Sequence, residues 1–125
     1  MYEGNKMGKV YLANAFSLNM LSNLPAELTI VKIDKEEFCL DLEDSMKYGQ
    51  FVNAIGHEST VNLVNMLCGV NLQKNRVEVK MVEGDKALII QPIQRLEEGK
   101  VLSDEEIMRM LKDGKIVFYK VINEE

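Results

Sequence analysis

QFVNAIGHESTVNLVNMLCG, residues 50–69, predicts a β-strand, a tight turn and an α-helix in succession. The first six residues suit a strand, and apolar side chains then recur at helical spacing at Val61, Val64, Leu67 and Cys68. Gly69 follows, and glycine is the residue that most often ends a helix. A strand that passes directly into a helix is typical of α/β proteins, so this stretch decides the fold class.

Similar units precede this stretch. Residues 9–15 predict a strand, and Ser17 can then cap a short helix. Residues 28–33 predict a second strand, and Asp34 begins a helix in an acidic first turn. The apolar side of that helix is formed by Phe38, Leu42 and Met46.

The elements after residue 69 are a hairpin, a helix and a final strand. Residues 76–82 alternate charged and apolar side chains, and a Glu-Gly-Asp turn leads back through a second apolar run, which predicts a β-hairpin. Ser103 and Glu106 form the pattern of a capping box at a helix start. Residues 115–122 predict the last strand.

The size and composition of the chain indicate one domain. Its 125 residues are 46% hydrophobic, which is enough for a sizeable core. No repeat, low-complexity stretch or linker divides it. The sequence therefore predicts a single α/β domain over residues 9–125, with a mixed β-sheet flanked by helices, behind a polar N-terminal extension, residues 1–8.

The charge balance restricts the partners. The formal net charge is −5, whereas proteins that bind long nucleic acids do so mainly through Lys and Arg that neutralise many phosphates. A compact phosphate ligand needs only a few arginines and the N–H groups of a helix start. No apolar run reaches the roughly 18 residues of a membrane span, and the start of the chain is polar. We therefore expect a cytoplasmic protein without a long nucleic acid or a membrane as partner.

The cysteines and the histidine argue against a metal centre. Cys39 and Cys68 lie among apolar neighbours, which favours two buried thiols over a disulfide in an intracellular chain. One histidine and two distant cysteines are too few ligands for a zinc cluster. A metal would need carboxylates as ligands.

Two strand-to-helix turns are the first candidate site, because an α/β protein usually holds phosphate at such helix starts. They are residues 14–17 and residues 56–60. The alternative is that Ser17, Ser59 and Thr60 serve only as N-caps. The capping and binding roles can coexist.

His57 is the only histidine of the chain, and imidazole, with an ordinary pKa of about 6.5, is suited to proton transfer near neutral pH. The alternative is a histidine whose ring is satisfied by a backbone carbonyl. The dipole of a helix disfavours a positive charge at the N-terminus. An imidazolium there is therefore more natural when an anion is bound.

Two further segments carry donors for a phosphate. Residues 91–100 lead from an apolar strand into a polar segment, which is either a binding or gating loop or a solvated connector. Asn75 and Arg76 offer amide and guanidinium groups, although exposed arginines on a strand commonly just keep a sheet soluble.

Four blocks stand in order along the chain: KVYLANAFS (residues 9–17), GHEST (residues 56–60), QKNRVE (residues 73–78) and QRLEEGK (residues 94–100). Together they resemble the successive signature blocks of the viral type III anti-CRISPR ring nucleases. Four blocks in one order are far more specific than any one of them. The resemblance extends from about residue 9 to the last strand, and the polar extension departs from it.

The resemblance implies a homodimer that binds cyclic tetra-adenylate, the messenger that activates accessory CRISPR nucleases. It implies cleavage without metal or cofactor into linear di-adenylates with 2′,3′-cyclic phosphate ends. His57 matches the general acid, Arg95 the phosphate-stabilising arginine and Glu98 an assisting acidic residue, while residues 92–103 match a loop that closes over the ligand. The matching ligand-pocket positions are Asn14, Ser17, Asn19, Ser59, Arg76 and Gln91.

Two other functions stay open. The chain is a sponge or sensor if it binds the messenger without cutting it. It is a regulatory module for a protein partner if His57 and Arg95 only cap and pair. Ligand cleavage, and its response to His57→Ala, separates the three.

Overall fold

Five strands and three α-helices make up residues 8–93 and 102–125, which are the residues described by a computed structural model. The strands are β1 (Val10–Ala13), β2 (Leu28–Ile33), β3 (Phe51–Asn53), β4 (Lys86–Pro92) and β5 (Ile116–Asn123). The α-helices are α1 (Lys35–Lys47), α2 (Glu58–Cys68) and α3 (Asp104–Lys112), and one 3₁₀ turn, Leu18–Met20, follows β1. The predicted α/β class is confirmed. The predicted extension lies, apart from Gly8, outside the described residues.

The strands form one mixed sheet in the order β2-β5-β4-β1-β3. β1 is parallel to β3 and β4, and β5 is antiparallel to β4 and β2. The register places Leu12 of β1 beside Asn53 on one side and Leu88 on the other. Four strands, β1 to β4, therefore end on the same side of the sheet, which we name the carboxyl end.

The larger part of the core lies between the sheet and the helices. Buried side chains from all three helices contribute to it, so the helices pack on one face of the sheet. Phe38 of α1 packs on Phe118 of β5 with ring centroids 4.8 Å apart. Burying a side chain of this kind contributes about 1.5–3 kcal/mol, so this layer is the main source of stability.

A smaller apolar cluster covers the opposite face of the sheet. It is formed by Tyr11, Ala13, Ala87, Ile89 and Val121, with Leu21, Val79 and Met81 packed on them. Met81 pairs with Leu21 in a parallel bridge, and its N–H donates to the carbonyl of Met20 at 2.7 Å. The segment before β4 therefore crosses this face beside the 3₁₀ turn.

The hairpin predicted for residues 76–90 is wrong. The described neighbours of β4 are β1 and β5, and residues 76–82 form no ladder with it. Val79 and Met81 are nevertheless buried while Glu78 and Lys80 are exposed, as the alternation indicated. Alternation reports which side chains face a core and does not identify the neighbouring strand.

The prediction of two buried thiols is also wrong. Cys39 of α1 and Cys68, the last residue of α2, form a disulfide with their Cα atoms 5.2 Å apart. The two helices pack side by side on the sheet, which brings the cysteines within the usual range for such a bond. The bond ties the end of α2 to the first half of α1.

Lys120 of β5 forms salt bridges between the sheet and α1. Its Nζ donates to Asp41 Oδ2 at 2.7 Å and to Glu37 Oε2 at 3.1 Å. Burial alone would lower the pKa of Lys120, but the hydrogen bonds and charges of these two carboxylates outweigh burial and raise it above 10.5. Lys120 therefore stays charged in its half-buried position.

The capping box predicted at the start of α3 is confirmed. The N–H of Glu106 donates to Ser103 Oγ at 3.1 Å, and the N–H of Ser103 donates to Glu106 Oε1 at 2.9 Å. Ile107 is the fully buried side chain of this helix, and Met110 and Leu111 are partly buried against the same core. The position of α3 therefore depends on its first turn.

We expect Ser103→Ala to lower the free energy of unfolding by about 1 kcal/mol, because the N–H of Glu106 loses its acceptor. Urea unfolding followed by circular dichroism measures the change. Ser22→Ala is the matched control, since this exposed serine lies outside the helices and has no side-chain hydrogen bond to any described residue. Equal effects of the two substitutions would contradict the capping role.

Candidate functional site

Three candidate segments meet at the carboxyl end of the sheet. Residues 14–17 follow β1, the turn with His57 follows β3, and Gln91 lies near the end of β4. β1 lies between β3 and β4, and neighbouring strands are about 4.8 Å apart, so the three segments start within about 10 Å of one another. The sheet topology thus brings together residues that are far apart in sequence.

His57 is the N-cap residue of α2, where the sequence predicted a helix start. Its Nδ1 lies 3.4 Å from the hydroxyl oxygen of Thr60, a long hydrogen bond that steadies the imidazole. Ser59 and Thr60 are 2% and 3% exposed, so both side chains are buried in the first turn. The helix dipole at this position favours an anionic ligand.

Arg76 lies across the turn that carries His57. Its guanidinium Nη2 donates to the carbonyl of Gly56 at 3.3 Å. A Cβ atom at Gly56 would lie 3.2 Å from Arg76 Nε, closer than nearly all such contacts. Glycine at position 56 therefore leaves room for the exposed Arg76 side chain, which contacts the residue before His57.

Two asparagines fix this turn to the segment that follows α2. Asn53 Oδ1 accepts from the N–H of Ile55 at 3.1 Å, and Asn53 Nδ2 donates to the carbonyl of Gln73 at 2.7 Å. Asn75 Nδ2 donates to the carbonyl of Asn53 at 2.8 Å, and the N–H of Asn75 donates to the carbonyl of Ile55 at the same distance. Sequence reasoning missed Asn53, because its partner is 20 residues away.

The other candidate ligand-binding residues are exposed. Asn14 and Ser17 lie in the turn after β1, and Gln91 projects from β4 on the face that carries the smaller cluster. Asn19 lies in the 3₁₀ turn, where its carbonyl accepts from Lys80 Nζ at 3.3 Å. Asn14 and Ser17 thus lie at the same end of the sheet as the turn with His57, and Gln91 and Asn19 lie towards the sheet face opposite the helices.

Arg95 and Glu98 lie outside the described residues, as does most of the predicted closing loop over residues 92–103. The two ends of that loop are described. Pro92 is the last residue of β4 at the carboxyl end, and the N–H of Ile93 donates to the carbonyl of Lys115 at 2.7 Å. The loop therefore leaves the sheet on the side that carries His57.

The described residues contain no group of three or more His, Cys, Asp or Glu side chains placed to hold a metal ion. In the same part of the chain, no helix has the length and apolar character needed to cross a membrane. The chemistry available at the carboxyl end is that of an imidazole, a guanidinium, several amides and hydroxyls, and a helix N-terminus. Such a set can bind a phosphate and transfer a proton to it.

Comparison with known proteins gives relatives from archaeal viruses. The chain is 45% identical over 109 residues to ORF116 of Acidianus filamentous virus 1, covering 87% of this chain and 90% of that protein. It is 38% identical over 77 residues to ORF117 of Acidianus two-tailed virus, covering 62% and 64%. The solved structure of B116 of Sulfolobus turreted icosahedral virus has a TM-score of 0.87 and 64% identity, covering 93% of this chain and all of that one.

The family model described as STIV B116-like matches residues 10–119, which include every strand and helix of the domain except the end of β5. The match therefore covers the three turns at the carboxyl end together with the core that supports them. This chain belongs to the STIV B116-like family of archaeal virus proteins.

Proposed function

We propose that this protein is a metal-independent ring nuclease that cleaves cyclic tetra-adenylate to linear di-adenylates with 2′,3′-cyclic phosphate ends. The observation that carries the proposal is the position of His57. The only histidine of the chain stands at the N-terminus of α2, at the carboxyl end of the sheet, in a turn whose Gly56 carbonyl accepts a hydrogen bond from the guanidinium of Arg76. The similarity of four sequence blocks to ring nucleases supplies the identity of the ligand.

The chemistry needs no nucleophile from the protein. The 2′-hydroxyl of an adenosine attacks the adjacent phosphorus, the bond from phosphorus to the 5′-oxygen breaks, and a 2′,3′-cyclic phosphate forms. The 2′-hydroxyl proton passes to water or to Glu98, and the departing 5′-oxygen receives one from the His57 imidazolium. General acid catalysis of this kind contributes about 10²–10⁴-fold, and fixing the line of attack adds to it.

The position of His57 at a helix start links its role as an acid to the binding of an anion. The dipole of α2 disfavours an imidazolium at its N-terminus, and a phosphate bound there offsets the unfavourable charge. In the proposal, ligand binding and protonation of His57 therefore support each other. Thr60 holds the ring through Nδ1.

Arg95 and Glu98 complete the proposed catalytic group. The planar guanidinium of Arg95 pairs with phosphate oxygens and stabilises the charge that develops in the transition state. Glu98 orients the ligand or takes up the 2′-hydroxyl proton. Both belong to the segment that follows Pro92, the last residue of β4, and in the proposal this segment closes over the ligand and excludes water.

The proposed ligand contacts are Asn14, Ser17, Asn19, Ser59, Arg76 and Gln91. Arg76, Asn14, Ser17 and Gln91 are exposed and offer side-chain hydrogen bonds to phosphates, riboses or bases. Ser59 is buried, so its proposed contact is made through the backbone at the start of α2. The six positions therefore contribute in different ways.

A homodimer fits the symmetry of the ligand. Cyclic tetra-adenylate has a rotational axis, and a twofold dimer presents two identical half-sites to it. Each half-site then supplies one His57 and cleaves one phosphate, which gives two di-adenylates from one ring. Removal of the messenger would switch off the accessory nucleases of type III CRISPR immunity in the cytoplasm of an infected cell.

The test is incubation of the wild-type protein with labelled cyclic tetra-adenylate in excess chelator, with the products separated by chromatography. We expect di-adenylates that end in 2′,3′-cyclic phosphates. An intact ring that comigrates with the protein would instead indicate a sponge or sensor. An intact ring without binding would favour a protein-binding regulatory module.

A further inference from the structure

The side chain of Arg76, a proposed ligand contact, is only weakly held in the structure. Its side chain is exposed and its one hydrogen bond to a described residue, to Gly56, is 3.3 Å long. An exposed bond of that length is weak, and an arginine loses much rotamer freedom when it is fixed. The side chain alone therefore does not explain why Arg76 lies over the turn that carries His57.

The backbone that leads to Arg76 is held far more firmly. Three hydrogen bonds of 2.7–2.8 Å join residues 53–55 to residues 73–75, and two of them are made by the side-chain amides of Asn53 and Asn75. We name these two side chains the asparagine clamp. Gly56 and His57 directly follow residues 53–55, and Arg76 directly follows residues 73–75.

We propose that the asparagine clamp is a positioning device that sets Arg76 against the turn of His57. The proposal rests on the function proposed above, in which Arg76 contacts the phosphate whose departing 5′-oxygen His57 protonates. The clamp fixes the backbone just before the His57 turn and the backbone just before Arg76. Loss of its hydrogen bonds would therefore allow the guanidinium to move away from that turn. Asn75, which the sequence offered as a donor to a phosphate, donates instead to the carbonyl of Asn53, and the proposal gives neither asparagine a contact with the ligand.

The chemistry of asparagine suits this position. The side-chain oxygen of Asn53 accepts from Ile55 in its own segment, and its amide N–H donates to Gln73 in the other segment. One side chain thus shapes the turn and bridges the two segments. Asn75 donates to the backbone at the same place. An aspartate has no N–H group to donate and would repel the carbonyl of Asn53.

Asn75→Ala is the variant of choice, because Asn75 is exposed and its backbone hydrogen bond survives the substitution. The matched control is Asn71→Ala, since Asn71 is exposed in the same connecting segment and has no hydrogen bond to any described residue. Asn53 is less suitable, because it is half-buried and its loss endangers the fold.

The first measurement is kcat/KM for cyclic tetra-adenylate. We expect Asn75→Ala to lower it by about 10- to 100-fold, mainly through KM, because a displacement of the order of 1 Å costs that much. Asn71→Ala should leave it unchanged. In an Arg76→Ala background, Asn75→Ala should cause no further loss, because a positioning residue acts only through the residue that it positions. An equal loss in both backgrounds overturns the proposal.

A second measurement is independent of catalysis. The heteronuclear NOE of the Arg76 Nε–Hε group, recorded without ligand, should fall in Asn75→Ala and stay at the wild-type value in Asn71→Ala. Equal values in all three proteins overturn the clamp whatever the activity. A fallen value in a protein whose wild type neither binds nor cuts the ring supports the clamp and rejects the proposed function, so the two failures are distinguishable.

Discussion

Replacing His57 by alanine is expected to slow the cleavage of cyclic tetra-adenylate by about 10²–10⁴-fold, because the departing 5′-oxygen loses its proton donor. Binding of the ring should change far less, since the phosphate contacts proposed for Arg76 and for the start of α2 do not involve the imidazole. Single-turnover cleavage with enzyme in excess measures the chemical step, and titration of labelled ring measures binding. A variant that cuts within a few fold of the wild-type rate would reject His57 as the acid.

His57→Gln is the matched control for this result. Glutamine keeps a polar side chain that can cap the helix but cannot act as a proton donor near neutral pH. If His57 is the acid, Gln and Ala should be equally slow. If His57 only caps α2, the His57→Gln variant should recover most of the rate. The His57→Ala variant should then unfold at a lower temperature than the wild type.

The second large effect concerns stability. We expect the double variant Cys39→Ala, Cys68→Ala to lose about 3–4 kcal/mol of unfolding free energy, because the disulfide no longer restricts the unfolded chain. The bond closes a loop with a sequence separation of 29 residues, and loop-closure entropy sets this magnitude. Guanidinium unfolding of both proteins without reductant measures the difference.

Reduction of the wild type should reproduce the loss, whereas the same reductant should leave the double variant unchanged. Thiol titration of the unfolded, unreduced protein provides an independent check. Two titratable thiols per chain would show that the bond is not formed and would contradict the prediction. None would agree with it.

Most elements of the fold could be predicted because their signals are local. The side chains of Asp34 and Ser103 accept hydrogen bonds from the first turns of α1 and α3, and Gly69 follows α2 with a positive φ of 67°. These residues act within one turn of the chain, so their chemistry is visible in a short window. The β2 strand, Leu28–Ile33, has the predicted bounds for the same reason.

The errors are all non-local. Alternation in residues 76–82 showed which side chains face the core but not that Met81 would bridge to Leu21. The cysteine prediction relied on the reducing interior of most cells, a rule to which proteins of hyperthermophilic archaea are an exception. Met46, expected on the apolar side of α1, is 39% exposed, and Ser45 is buried in its place. Each outcome depends on how distant segments pack.

The same distinction between local and non-local signals applies to the candidate site. The turn with His57 was predicted because a strand, a turn and a helix follow one another in 20 residues. The asparagine clamp was not predicted, because Asn53 and Asn75 meet only after α2 has packed on the sheet. Residues that carry the chemistry were visible locally, while residues that hold them in place depend on tertiary structure.

The strand order has a consequence for how the chain folds during its synthesis. β5 lies between β2 and β4, so β2 has no neighbour in the sheet until residues 116–123 have left the ribosome. A nascent chain that has emerged as far as β3 can pair β1 with β3 but must carry the apolar strand β2 unpaired. Folding of this sheet therefore cannot finish before residues 116–123 are available, and a chain shortened before β5 should aggregate through β2.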